Sequence, residues 1–190
     1  MNDAHIRQAI QGAQKLVAEK PVYLDTETTG THKAAEIVEI CIVDHDGEVL
    51  LDSFVKPQGF IPIQATQVHG ITNQMVRGAP TWREIWPKVQ GNLTGRKVGI
   101  YNANFDLRLI KQSHAQCGMD WGAIGASAFC IMKLYARFYG EKNAHNRAFR
   151  WQSLEKAGEQ CGVALLNTHR AKADTLLARA VMMYMAEHKT

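Results

Sequence analysis

No apolar run in the sequence approaches the about 18 residues that a membrane-spanning helix needs, so a bilayer span is not expected. The four cysteines, Cys41, Cys117, Cys130 and Cys161, lie far apart with no CxxC pair. That argues against a zinc site or a redox dithiol and favours reduced thiols in a cytoplasmic protein. A secretory leader is not expected either, since Met1 to Glu19 reads as an amphipathic helix rather than as a charged head followed by an apolar core and a cleavage site. There is no internal repeat and no linker. The charge is not extreme either, since 22 Lys and Arg against 18 Asp and Glu give +4, which suits a polyanionic partner without demanding one.

What is present suits a single α/β domain: 190 residues, 46% hydrophobic and 21% charged. Residues 1–20 are read as a helix packed on a domain of residues 21–190, because Ile6, Ala9, Ile10, Ala13, Leu16 and Val17 recur at helical spacing before Pro21. Strands are expected over Val22 to Asp25, Ile37 to Val43 and Val49 to Val55. Their connections are too short for crossover helices, so the three should form an antiparallel meander. Thr81 with Glu84 spells a capping box for a helix running to about Leu93 despite Pro87. A fourth strand over Lys97 to Tyr101 followed by a helix to about Gly118 marks a mixed sheet. Further on, a weak strand near Ile124 to Ala128 and helices over Cys130 to Phe138, Trp151 to Gly162 and Ala171 to His188 are expected. The last helix should bury Leu177, Ala180, Val181, Tyr184 and Met185.

Asp25 and Glu27 stand two positions apart on the first strand, where side chains alternate faces, so both acids point the same way. Adjacent anions need cations, and this pair has the look of a divalent-metal half-site. Asp106 follows the fourth strand and Asp174 opens the last helix; each alone also suits a helix N-terminus electrostatically. His169 is five residues before Asp174, a spacing that places it on the loop entering the helix, over any site that Asp174 helps to form.

Three segments in order, Leu24-Asp25-Thr26-Glu27-Thr28-Thr29-Gly30, Tyr101-Asn102-Ala103-Asn104-Phe105-Asp106 and His169-Arg170-Ala171-Lys172-Ala173-Asp174, resemble the motifs of the DEDDh 3'-to-5' exonuclease superfamily. That superfamily includes the proofreading subunit of bacterial DNA polymerase III and ribonuclease T. The resemblance implies a ribonuclease H-like three-layer α/β fold, a mixed five-stranded sheet with helices on both faces. It implies that Asp25, Glu27, Asp106 and Asp174 bind two Mg2+ or Mn2+ ions and that His169 is the general base. The substrate would be DNA taken from a single-stranded or frayed 3' end, released as nucleoside 5'-monophosphates. RNA termini are the alternative substrate, and a noncatalytic nucleic-acid or polymerase-binding module is the alternative of a different class. Relatives are often homodimers, although no patch in the sequence marks a dimer face.

Elementary chemistry agrees with that carry-over. Four carboxylates can hold two hard cations roughly 4 Å apart, and an imidazole titrating near 6.5 can take a proton from water around neutral pH. Glu27 could also accept a hydrogen bond from a terminal 3'-OH, a second catalytic role that favours chain ends. Candidate substrate contacts are Thr28, Gly30, His69, Asn102 and Phe105, several with a plainer reading beside them. Thr26 and Thr28 alternate with the acids onto the other strand face, where core or local backbone bonding suits Thr26; Gly30 suits a tight turn, Asn102 a turn, and Phe105 packing. His69 lies in Val68-His69-Gly70-Ile71-Thr72, which resembles a family element beside the substrate cleft. The stretch from Lys133 to Lys156 interleaves cations with aromatics, as single-stranded nucleic acid binding favours, and offers Lys142, Arg147 and Arg150 as phosphate contacts. Two departures stand out. Ser127 to Met132 lacks the acidic or threonine-bearing motif of many relatives, and the chain ends soon after the last helix, which favours a standalone nuclease over a proofreading subunit.

Overall fold

The computed structural model describes residues 4–120, 125–146, 148–165 and 168–189. Its elements are α1 (Ala4–Ala18), β1 (Val22–Thr28), β2 (Ile37–Val43), β3 (Val49–Phe54), α2 (Ile63–His69), α3 (Trp82–Leu93), β4 (Lys97–Ile100), α4 (Ala103–Gln116), β5 (Ser127–Cys130), α5 (Ile131–Tyr139), α6 (Leu154–Gln160) and α7 (Ala171–Glu187). One five-stranded sheet runs in the order β3-β2-β1-β4-β5. β1, β2 and β3 form the expected antiparallel meander, while β4 and β5 add in parallel, so the sheet is mixed.

Alternation along β1 divides the core. Val22 and Leu24 belong to the cluster formed with Trp82, Ile85 and Val89 of α3 and Leu109 and Ile110 of α4. Tyr23 belongs to the opposite cluster, with Ala13 of α1, Tyr135 of α5, Ala157 of α6 and Leu177 and Val181 of α7. The sheet is thus sandwiched between two helical layers, as the side-chain period of a strand requires when both faces are covered. Covering also explains β2, where Ile37 to Val43 are all buried. α1 lies against α5 and α7. Among the described residues no helix is long and apolar enough to cross a membrane.

Several boundaries differ from the sequence expectation, each for a visible reason. β1 continues to Thr28, because Glu27 and Thr28 still pair with Glu39 and Ile37 of β2 across a register shift. β5 sits later than expected, at Ser127–Cys130, where Lys97 to Ile100 of β4 provide its ladder; residues 121–124, over which part of the weak strand was expected, lie outside the described residues. α6 starts at Leu154 because Ser153 caps it, its side chain accepting from the Lys156 N–H. In α3 the Glu84 half of the capping box is formed, with the Thr81 N–H and hydroxyl both donating to Oε2 at 2.7 Å, and the helix continues through Pro87. The buried side of α7 is rotated relative to expectation: Ala178 and Met182 are buried, whereas Ala180 and Tyr184 are only half-buried.

One irregularity of the sheet matters most. Among the described residues β4 pairs with β1 at Val22 and Tyr23 alone, and beyond Leu24 no strand ladder continues on the β4 side of β1. The acidic half of β1 therefore overhangs the sheet, reachable from both helical layers.

Candidate active site

Asp25 and Glu27 follow Tyr23 in alternation and so face the layer that contains α7. Asp174, in the first turn of α7, comes down onto them, and a carboxylate oxygen from each of Asp25, Glu27 and Asp174 lies within 4.8 Å of the other two. Asp106 arrives from the other layer, in the first turn of α4, and is 3% exposed. It stands outside the group of three, and its Oδ1 accepts from the Thr26 hydroxyl at 2.7 Å. Strand alternation had assigned Thr26 to the core or to its own backbone. The reason for the difference is the overhang: Thr26 faces the α4 layer, and there the first turn of that helix presents Asp106.

Burial acts on all four acids, and repulsion from neighbouring carboxylates adds to it at Asp25, Glu27 and Asp174. Burial raises the Asp25 pKa well above the carboxylate range, and the charges of Asp106, Glu27, Asp174 and Glu39 raise it further. Glu27 is pushed up to about 8, first by burial, then by Asp174, Glu39 and Asp106, with Arg170 opposing. Burial takes Asp106 to about 7 against the hydrogen bond from Thr26, and Asp174 to about 6 against the charge of His169. Such a cluster is poorly compensated by the protein itself. An all-oxygen donor set of this kind fits a hard divalent cation.

His169 is exposed and has a left-handed backbone, φ +51°. It lies on the segment entering α7, as its spacing from Asp174 predicts, and its charge is felt at Asp174. The preceding Thr168 N–H donates to Asp174 Oδ1 at 3.3 Å, tying the segment to the acid.

The expected substrate contacts have mixed placements. His69 is buried, with both ring nitrogens used inside the protein: Ile71 N–H donates to Nδ1 at 3.0 Å, which leaves the proton on Nε2 to donate to the Thr28 carbonyl at 3.1 Å. A direct ring contact to substrate would break one of these bonds, so the geometry is that of a tie holding the end of β1. Thr28 is buried, its hydroxyl donating to the Gly30 carbonyl at 2.8 Å, and Gly30 turns with φ +150°. Asn102 is exposed at the N-terminus of α4. Phe105 packs against the α3/α4 core beneath the Arg108 guanidinium, 5.2 Å from its ring centroid.

Among the expected phosphate contacts, Arg147 lies outside the described residues. Lys142 and Arg150 are exposed near the base of a hairpin, closed by the bridge between Lys142 and Phe149. Arg150 Nη1 donates to Glu141 at 2.8 Å, and Lys142 Nζ sits 5.4 Å from the Phe149 centroid. The Tyr101 hydroxyl, one residue before Asn102, reaches the Gln152 and Ser153 carbonyls, which anchors this hairpin to the β4–α4 junction. Trp151, 61% exposed, stands beside it.

Glu39 and Arg170 also escaped sequence reasoning. Glu39 is 2% exposed in β2, directly opposite Glu27 in the ladder. Arg170 grips it in a forked contact, with Nη2 to Oε1 at 2.6 Å and Nε within 3.2 Å of both carboxylate oxygens. The signal was present, since a single charge inside the apolar run Ile37 to Val43 requires a buried partner.

Comparison with known proteins gives consistent results. A family model described as an exonuclease, of ribonuclease T type, matches residues 22–182. An uncharacterized exonuclease of Escherichia phage 186 is 36% identical over 182 residues, covering 93% of each chain. The PolC-type DNA polymerase III of Thermotoga maritima is 27% identical over 171 residues, but the match spans only 12% of that much longer protein. Among solved structures, Exonuclease X in complex with 5' overhanging duplex DNA superposes with a TM-score of 0.64 at 25% identity, over 86% of this chain and 90% of that one. Exonuclease I of E. coli in complex with a dA16 oligonucleotide gives 0.66 at 19% identity, over 84% of this chain and 39% of that one, a likeness of fold.

Proposed function

Because the chain belongs to the exonuclease family whose model spans residues 22–182, of the DEDDh superfamily, we propose that it hydrolyses DNA stepwise from the 3' end, releasing nucleoside 5'-monophosphates. The observation that carries this reading is the convergence of Asp25, Glu27 and Asp174 within 4.8 Å beside the segment that bears His169.

In this reading Asp25, Glu27, Asp106 and Asp174 hold two Mg2+ or Mn2+ ions. When bound, such ions lower the pKa of the attacking water and offset charge on the phosphate and the departing 3' oxygen. His169 accepts the water's proton as the oxygen bonds to phosphorus. The bond from phosphorus to the 3' oxygen of the preceding nucleotide breaks, its electron pair leaves with that oxygen, and a proton from solvent completes the new 3'-OH. Glu27 accepts a hydrogen bond from the 3'-OH of the terminal nucleotide, which selects an end over an internal bond. Asn102, exposed at the N-terminus of α4, orients the scissile strand, while Thr28, Gly30 and His69 act indirectly by fixing the end of β1. The hairpin that carries Lys142 and Arg150, with the indole of Trp151, receives the phosphates and bases of a single strand.

DNA is favoured as substrate because the solved structures of similar fold hold DNA oligonucleotides. The test offers purified protein 3'-labelled and 5'-labelled DNA and RNA oligonucleotides with Mg2+, Mn2+ or chelator. A ladder shortening toward the 5' label, immediate mononucleotide from the 3' label, and silence in chelator are expected. Early release of the 5' label, or full turnover in chelator, overturns the reading; faster loss from RNA reassigns the substrate.

A further inference from the structure

We propose that Glu39 and Arg170 form a positioning pair that sets the backbone around His169 and so aims its imidazole at the acids. This inference rests on the hydrolytic reading above and adds to it two residues that act through His169.

The argument starts from an apparent defect. A carboxylate 2% exposed in a fully buried strand is unfavourable, and its position directly opposite Glu27 places two like charges on one face of the sheet. The structure compensates with the Arg170 fork and with the Ala171 N–H, which donates to Glu39 Oε2 at 2.9 Å. Phe54 backs the guanidinium from 5.4 Å.

Those contacts also solve a problem at the other end. Arg170 is the N-cap of α7 and supplies no side-chain cap of its own, so the first helical N–H needs another acceptor. Glu39 provides it from a strand 132 residues away in sequence. Side chain and backbone of residues 170 and 171 are thereby pinned to β2. His169 is the next residue back, and its left-handed conformation is one that a non-glycine residue holds only when its surroundings enforce it. On the other side, Asp174 N–H donates to the Arg170 carbonyl at 3.0 Å. One buried carboxylate therefore registers the base and a neighbouring acid together.

Four variants test the pair: Glu39→Ala, Glu39→Gln, His169→Ala and the double variant Glu39→Ala/His169→Ala. With wild-type protein turning over DNA, Glu39→Ala should lower kcat about 30-fold and leave KM for the oligonucleotide within about threefold, as loss of an aim rather than of binding predicts. Glu39→Gln should lie between, since the amide keeps one accepting oxygen but gives up the charge and puts an NH2 group where the other oxygen now accepts. The double variant should be no slower than His169→Ala alone, because a residue acting through His169 has nothing left to position. Losses that multiply overturn the proposal. Amide hydrogen exchange of Glu39→Ala and Glu39→Gln gives an answer independent of turnover: the Ala171 N–H should exchange at least about tenfold faster, with the β1–β2 ladder unchanged. Unaltered exchange at Ala171 also overturns it. Wild-type protein without hydrolysis would instead sink the hydrolytic reading, and the exchange result would still decide whether Glu39 anchors this segment.

Discussion

Asp25 has the highest-stakes environment of any single residue in the molecule. It is half-buried among Asp106, Glu27 and Asp174, and each of those charges raises its pKa. Asp25→Asn keeps the shape and removes one negative charge, so nucleotide release should nearly vanish while the fold persists or gains stability. An oligonucleotide assay beside thermal unfolding checks both halves. Thr26 acts at one remove. Its hydroxyl favours the ionised form of Asp106, and Thr26→Val deletes that donor with little change in volume. The Mg2+ concentration for half-maximal rate should rise about tenfold, the low end for a hydrogen bond to a charged group. A titration of rate against Mg2+ that matches wild type would reject the role. Asp25 and Glu27 were legible from sequence because a strand's two-residue period places them on one face. Thr26 was not, because the same period sends it to the opposite face and only the packing of α4 shows what waits there.

At the scale of elements, the close approach of β1, β4 and β5 is set by a missing side chain. A Cβ built on Gly99 would lie 2.8 Å from Phe129 Cζ and 2.9 Å from Tyr23 Cδ1, two rings held in place by the core. Gly99→Ala should therefore cost about 1–3 kcal/mol, as overpacking does, and chemical denaturation measures it. Activity should fall with it, since displacing Tyr23 shifts the strand that carries Asp25 two residues on. The antiparallel meander, the capped α3 and the strand-to-helix switch at β4–α4 were all readable from local pattern. What local pattern could not supply was the overhang of β1, which depends on where β4 stops pairing. Nor could it supply the turn of α7 about its axis, which depends on α1, α5 and α6 sharing its apolar surface.

For the whole molecule, the clustered acids couple stability to pH and to metal. Glu27 near 8, Asp106 near 7 and Asp174 near 6 are all raised relative to ordinary carboxylates, so the folded protein holds more protons than the unfolded chain between about pH 4 and 8. Without metal, that contribution is fully present below the unfolded pKa values and is lost as pH rises through the folded ones; Tm should fall across this window. A divalent cation relieves the same repulsion, so Mn2+ or Mg2+ should raise Tm more at pH 8 than at pH 5, with proton release on binding. Thermal unfolding across pH with and without Mn2+ measures both effects, and a metal-induced shift independent of pH would contradict them. The provenance of the acids has a further consequence. Two come from an early strand, one from the middle of the chain and one from α7, so no fragment short of α7 carries a complete set. A chain cut before Ala171 lacks Asp174, so it cannot assemble the three-carboxylate group however well its sheet forms.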